Sequence, residues 1–300
     1  VRMLMDFSPE VNWRLARSIA GMGAGSLPEA SRPQAHRFVA GLRQRGRQAG
    51  ALAAQTMGMA SLGATSIQVV DRDGWVRAAT RIAQAAIDTL GWPRRAPGFR
   101  RALAASGLGA GFGVGLGVGQ RWMLGQFDAF TGSRTLYLVA PNMWRVQRIH
   151  GFDEAAFQLW VSTHEQAHAL QFERAAWLTD HLAALVAESG NRGAMNRIIA
   201  TMTFLEGHAD FIADHAPEIP GVKHMRNTFR RSRSGRGGGL FNKGAQYANG
   251  LAFCLNVREL YAGDAPGSTC PLNAALDAPD NLPTRDELAH PEAWVRRVHG

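Results

Sequence analysis

Apolar residues recur along this chain mostly at helical spacing, with short β-prone runs between them. Trp13, Leu15, Ala16, Ile19 and Ala20 form a first stripe, which the glycines at 21, 23 and 25 bring to an end. Pro28 to Pro33 marks a turn before Phe38 and Leu42, so residues 11 to 60 read as two or three helices. Ser66-Ile67-Gln68-Val69-Val70 has strand composition and runs into the turn Asp71-Arg72-Asp73-Gly74. A helix from Val76 to Leu90 follows, stopped by Gly91 and Pro93. Further on, Leu124 to Phe130 and Thr135 to Ala140 flank Thr131-Gly132-Ser133-Arg134 and read as a β-hairpin.

Helical patterns then dominate to the end. Asp153 is placed to cap the next helix, with Glu154 in its first turn. Another stripe runs from Trp177 to Val186 and closes at Gly190, and the one after it ends near His215, before Pro217 and Pro220. Lys223 to Lys243 holds five arginines, two lysines and the triplet Gly237–Gly239, and reads as a mobile surface loop. Thr284 with Glu287 forms a capping box that opens a last short helix, where Trp294 docks the tail. The resulting class is mainly α with a small β-hairpin or sheet. Residues 1–122 make an N-terminal helical region packed on a second region at 123–300, in one continuous domain.

The chemistry concentrates in one helix. Phe157, Trp160, Val161, His164 and His168 fall at i, i+3, i+4, i+7 and i+11, a continuous stripe. Within it His164-Glu165-Gln166-Ala167-His168 has the form H-E-x-x-H. Residues four apart share a helix face, so both imidazoles can point at a single cation. Glu165 can then reach a water activated by that cation and take its proton. Two imidazoles on an apolar face are costly to bury unless something binds them; the alternative is a pair of partly buried core histidines.

A catalytic zinc keeps three protein ligands and one open position. The helix from Arg197 to Asp210 offers the third ligand. Ile198, Met202 and Leu205 give it a packed face with Glu206 on the edge, and Asp210 lies one turn beyond Glu206. There Asp210 can accept the outer N–H of a ligand histidine. His208 is the rival ligand, but it points about 200° round the helix from Glu206, and Glu206 is favoured.

Leu124 to Phe130, Leu138 to Asn142, the H-E-x-x-H helix and Leu205-Glu206-Gly207-His208-Ala209-Asp210 together resemble the zincin-like metallopeptidase family. This is a set of bacterial proteins regarded as zinc hydrolases, one branch of which is linked to deazaflavin-cofactor biosynthesis. The similarity also takes in Val69 to Val76, Gln246-Tyr247, Leu282-Pro283-Thr284 and Ala293-Trp294-Val295, most of residues 65 to 300. It implies a zincin-like architecture, Zn2+ on His164, His168 and Glu206, and Glu165 as catalytic base, while the family's substrates are undefined; amide hydrolysis of a peptide or protein substrate is the reaction expected of this apparatus, with other acyl bonds also within its reach. In such enzymes a strand lies above the cleft, and an extended peptide can pair with its free edge. A donor for the oxyanion is also needed: Tyr247, matching the family's Gln-Tyr pair, and His208 are the candidates, with a core tyrosine as the alternative for Tyr247. The run Arg230 to Gly239 is more basic and glycine-rich than the resemblance leads one to expect.

Composition narrows the remaining classes. Three hundred residues, 46% hydrophobic and 19% charged, suit a substantial core. A formal charge of +9 would suit nucleic acid or an anionic surface, yet the arginines are spread along the chain and no nucleic-acid partner is expected. From Leu103 to Gly119 no charge occurs, and seven alternate positions are glycine. The run is too weakly hydrophobic for a stable membrane span and reads as a tightly packed buried helix touching the catalytic helices. All its glycines are odd-numbered, which excludes G-x-G-x-x-G. Cys254 and Cys270 make no disulfide framework, and Asp6 and Glu10 interrupt any signal-peptide core, so a reduced, cytoplasmic setting is expected. A catalytically idle zinc scaffold and a basic nucleic-acid or membrane-surface binder are the competing readings.

Overall fold

The computed structural model describes residues 11–23, 25–26, 28–89, 114–188, 191–234, 243–261 and 270–300, without the side chains of 230, 232–234 and 243–248. The fold is mainly helical with one small three-stranded sheet. Helix α1 (Trp13–Met22) starts on Asn12, whose side chain accepts from the Leu15 N–H. Helix α2 (Arg32–Met57) opens with a reciprocal cap between Ser31 and Gln34 and closes on Gly58 in the left-handed conformation. Residues 11 to 60 therefore hold two helices.

Strands β1 (Ser66–Val70), β2 (Gly125–Phe127) and β3 (Thr135–Val139) form a sheet in the order β1-β3-β2. β1 runs parallel to β3, with Ser66 opposite Thr135 and Val70 opposite Val139. β2 and β3 are the expected hairpin, with Gly125 opposite Leu138. A parallel pair needs a crossover, and helix α3 (Arg72–Thr89) lies within it. The Asp71 carboxylate accepts from the Gly74 N–H at 2.7 Å, so α3 begins at Arg72; the suggested turn at 71–74 is its first turn. β3 is buried along its whole length.

Helix α4 (Ala140–His150) leads from β3 to α5 (Glu154–Arg174), the helix on which the fold converges. Asp153 caps α5 by accepting from the Ala156 N–H at 2.8 Å. α2 packs along one flank of α5, α7 (Arg192–His215) along another, and β2 lies across it. α6 (Leu178–Ala187) joins α5 to α7. Helix α9 (Lys243–Leu260) crosses α7 backbone to backbone, where a Cβ on Gly207 would stand 2.0 Å from the Gly250 carbonyl carbon. Helix α10 (Pro291–His299) docks through Trp294, which is fully buried and donates to the Asn281 carbonyl at 2.8 Å.

Four expectations need correction. Lys223 to Lys243 does not begin as a loop: Val222–Ser234 is helix α8, and 235–242 lie outside the described residues. The Thr284–Glu287 box is made in both directions but closes a turn over 285–289, and α10 starts later at Pro291. Of the glycine run, 103–113 lie outside the described residues, and 114–119 are helical. That segment packs on α1 and α3, through Leu116 beside Trp75 and Gly117 against Gly23; Val114 and Val118 are exposed, so it is not buried throughout. Finally, Met202 is 43% exposed, because α7 buries Phe204, Leu205 and Ala209 towards the core and Met202 faces outward. Among the described residues no helix is long and apolar enough to cross a membrane.

Candidate metal centre

Two helices supply the cluster. On α5, His164 and His168 stand one turn apart with ring centroids 5.0 Å from each other. On α7, Glu206 faces both: its Oε2 lies 3.6 Å from His164 Nε2 and 3.8 Å from His168 Nε2. These three side chains are the one group of potential metal ligands whose donor atoms converge among the described residues. Donors sharing a tetrahedral zinc, with bonds of about 2.0–2.2 Å, stand about 3.4 Å apart, so the donor set and its spacing fit that ion.

The outer nitrogens are held as ligand histidines require. His164 Nδ1 lies 3.0 Å from Asp210 Oδ1. His168 Nδ1 lies 2.9 Å from Gln171 Oε1. Each imidazole thus presents Nε2 to the centre. Asp210 is in turn held by Arg226 of α8, whose Nη1 donates to Asp210 Oδ2 at 2.7 Å. The same guanidinium grips Asp214 with two hydrogen bonds, at 2.8 and 3.0 Å, and stacks over the Trp160 ring. Trp160 Nε1 also donates to Asp214 at 2.9 Å, and Phe229 packs against Phe152, Phe157 and Trp160. The arginine-rich segment, expected to be a mobile loop, therefore begins as a helix docked on the two helices that carry the cluster.

The charges at the cluster act strongly on one another. Burial alone would push the His164 imidazole down, yet the carboxylates of Asp210 and Glu206 carry its pKa up to about 10. Burial also works against Glu206 and Asp210, but His164 beside both, with His168 beside Glu206 and Arg226 beside Asp210, holds each below its usual carboxylate range. Glu165 behaves oppositely: burial pushes its carboxyl up, against the pull of His164 and His168. Its side chain lies against β2, where a Cβ on Gly125 would stand 2.6 Å from Glu165 Cγ.

Of the two suggested oxyanion donors, His208 is not in the cluster. His208 is fully buried, stacked on Phe204, with Nδ1 3.2 Å from Gln171 Nε2. Burial drives its pKa down to about 3. It lies on the far side of α7 from Glu206, as helical spacing requires, and is not placed to meet a substrate. Tyr247 lies on α9 one turn before Gly250, the residue that meets Gly207 next to Glu206; its side chain is outside the described residues. Sequence reasoning missed Gln171, Arg226 and Gly125. Gln171 alone carried a usable signal, since it sits three residues beyond His168 and hence on the same face.

No curated protein matches the chain in sequence. In structure it is similar to a protein from Chloroflexus aurantiacus described as a candidate hydrolase with a novel fold. The TM-score is 0.72 over 96% of this chain and 98% of that one, at 23% identity, a likeness that speaks to the fold. Residues 11–191 and 184–295 match the zincin-like metallopeptidase family. With that match spanning both helices of the metal centre, the chain belongs to the zincin-like metallopeptidase family.

Proposed function

We propose that the protein is a zinc-dependent peptidase in which His164, His168 and Glu206 hold the ion and Glu165 is the general base. The observation that carries this reading is the convergence of both Nε2 atoms on one Glu206 oxygen while their outer nitrogens are held by Asp210 and Gln171. Zinc in this position would supply a Lewis acid and bring the pKa of a bound water towards neutrality. Glu165, 9% exposed and with its carboxyl raised by burial, is suited to take a proton from the attacking water and return it to the leaving amine.

β2 provides the substrate's place. The Asp128 N–H donates to Thr135 O at 2.9 Å and the Val139 N–H to Leu124 O at 2.8 Å. Hydrogen-bonded pairs alternate along an antiparallel ladder, so Gly125 and Phe127 turn their N–H and C=O groups to the open edge. An extended peptide pairing there passes directly over Glu165. Tyr247 is the proposed oxyanion donor, by its position on the turn of α9 beside Glu206's neighbour Gly207. The free Cys254 and Cys270 suit a reduced, cytoplasmic setting.

The test is elemental analysis together with cleavage of a peptide library, on wild type and Glu165→Gln. One zinc per chain is expected in both, with hydrolysis slowed about 10²–10⁴-fold in the variant. Equal hydrolysis by the two refutes Glu165 as base, and failure of the wild type to cut any peptide refutes the peptidase.

A further inference from the structure

We infer that Gln171 dictates which nitrogen of His168 is free to bind metal, and that it does so from the backbone of the helix carrying Glu206. This inference rests on the ligand set proposed above. The Leu205 carbonyl, on the residue before Glu206, can only accept. Gln171 Nε2 lies 2.8 Å from it, so the nitrogen of the carboxamide, not its oxygen, faces α7. The second N–H of that nitrogen is directed at His208 Nδ1, 3.2 Å away.

With its nitrogen so fixed, Gln171 turns Oε1 to His168 Nδ1 at 2.9 Å. An amide oxygen accepts and never donates. His168 therefore carries a proton on Nδ1 and leaves the Nε2 lone pair towards Glu206. Rotating the carboxamide by half a turn would set two oxygens against each other at Leu205 and two donors, or a donor and a misplaced lone pair, at His168. Gln171 is fully buried, so no water competes for these contacts.

One side chain thus does two jobs that its chemistry alone combines. Its oxygen orients the second histidine, and its nitrogen ties α5 to the backbone beside Glu206, which keeps the second and third ligands in register. A carboxylate could do the first but has no N–H for Leu205 or His208. His164 has such a carboxylate in Asp210, which takes its compensating donors from Arg226 instead. Gln171 is on this account a positioning residue, and His208 is the acceptor that completes its hydrogen bonding.

The experiment measures zinc affinity by chelator competition for wild type, Gln171→Leu and Gln171→Glu, with melting of each zinc-free protein recorded alongside. Gln171→Leu is expected to bind zinc about 10–100-fold more weakly. Gln171→Glu, which restores an acceptor to His168 but offers nothing to Leu205 or His208, is expected to bind zinc more tightly than Gln171→Leu while melting lower without it. A purely structural Gln171 gives the reverse order in affinity, and that order, or Gln171→Leu within twofold of wild type, overturns the inference. Absence of zinc from the wild type overturns the ligand set and this inference with it; zinc bound equally by all three overturns only the inference. Long-range ¹H–¹⁵N correlation on the zinc-free wild type at alkaline pH gives a reading independent of whether the variants fold: His168 protonated on Nδ1 supports the inference, and protonated on Nε2 contradicts it.

Discussion

Gly125 on the edge strand and Glu165 on α5 share one space: the glycine's missing side chain is where the carboxylate's stem lies. A Cβ at Gly125 would stand 2.6 Å from Glu165 Cγ and 2.9 Å from Cδ. Both are closer than side-chain atoms approach, so either β2 or the base must move. A displacement of about 1 Å at a reacting group can cost about 10²-fold in rate. Gly125→Ala is therefore expected to bind zinc as wild type does and to hydrolyse peptide on the order of 10²-fold more slowly. Full activity in that variant would show that Glu165 does not need its present position.

Arg226 reaches the centre through Asp210. Its side chain is 12% exposed and closes ion pairs to Asp210 and Asp214. Removing one partner of a buried pair leaves the other charge uncompensated, at about 3–5 kcal/mol. Arg226→Met is expected to lower stability to urea by about that much, and to weaken zinc binding through the loosened Asp210–His164 contact. Arg226→Lys restores charge but not the planar two-bond grip on Asp214, and is expected to recover only part of the loss.

Zinc uptake at the proposed centre would be linked to proton release. In the metal-free protein the His164 pKa is raised to about 10, so at neutral pH the imidazole enters the reaction charged and must lose its proton to become a ligand. Calorimetry in two buffers of different ionisation enthalpy is expected to show about one proton released by His164 per zinc at pH 8, with affinity rising about tenfold per pH unit below pH 10. Uptake without proton release would contradict the pairing of His164 with Asp210 and Glu206.

The same protein without metal should be most stable near pH 6.5, as far as its histidines decide. His164, raised to about 10, contributes stability that is complete below its unfolded value and is lost as pH rises towards 10. His208, lowered to about 3, works in the other direction: below pH 6.5 the unfolded chain takes a proton that the folded one refuses, so stability falls as pH drops. Burial holds His181 and His215 down as well, adding to the acid side. Each fully engaged histidine gives a slope of about 1.4 kcal/mol per pH unit. Urea titrations from pH 5 to 9 check this, and His208→Leu is expected to flatten the acid limb alone.

The parts of this site that depend on local spacing were legible in the chain. His164 and His168 share a face because four residues make a turn, and Glu206 and Asp210 repeat that relation on α7. What could not be read is which surfaces meet. Arg226 is one of many arginines in its segment, and only the docking of α8 singles it out. Gly125 looks like any strand glycine until Glu165 is seen beside it. Met202 belongs to an apolar stripe, yet α7 is covered by α5 and α9 from directions that leave it outside. An aspartate followed three residues later by a glycine serves a turn and a helix start equally, so the chain alone does not show that α3 begins at Arg72.

Diffraction from zinc-loaded crystals at the zinc absorption edge tests the central claim most directly. The expected map holds a single anomalous peak contacted by His164 Nε2, His168 Nε2 and a Glu206 oxygen, with the remaining position open to solvent beside Glu165. A peak held by other residues, or one closed off by a fourth protein ligand, would contradict it.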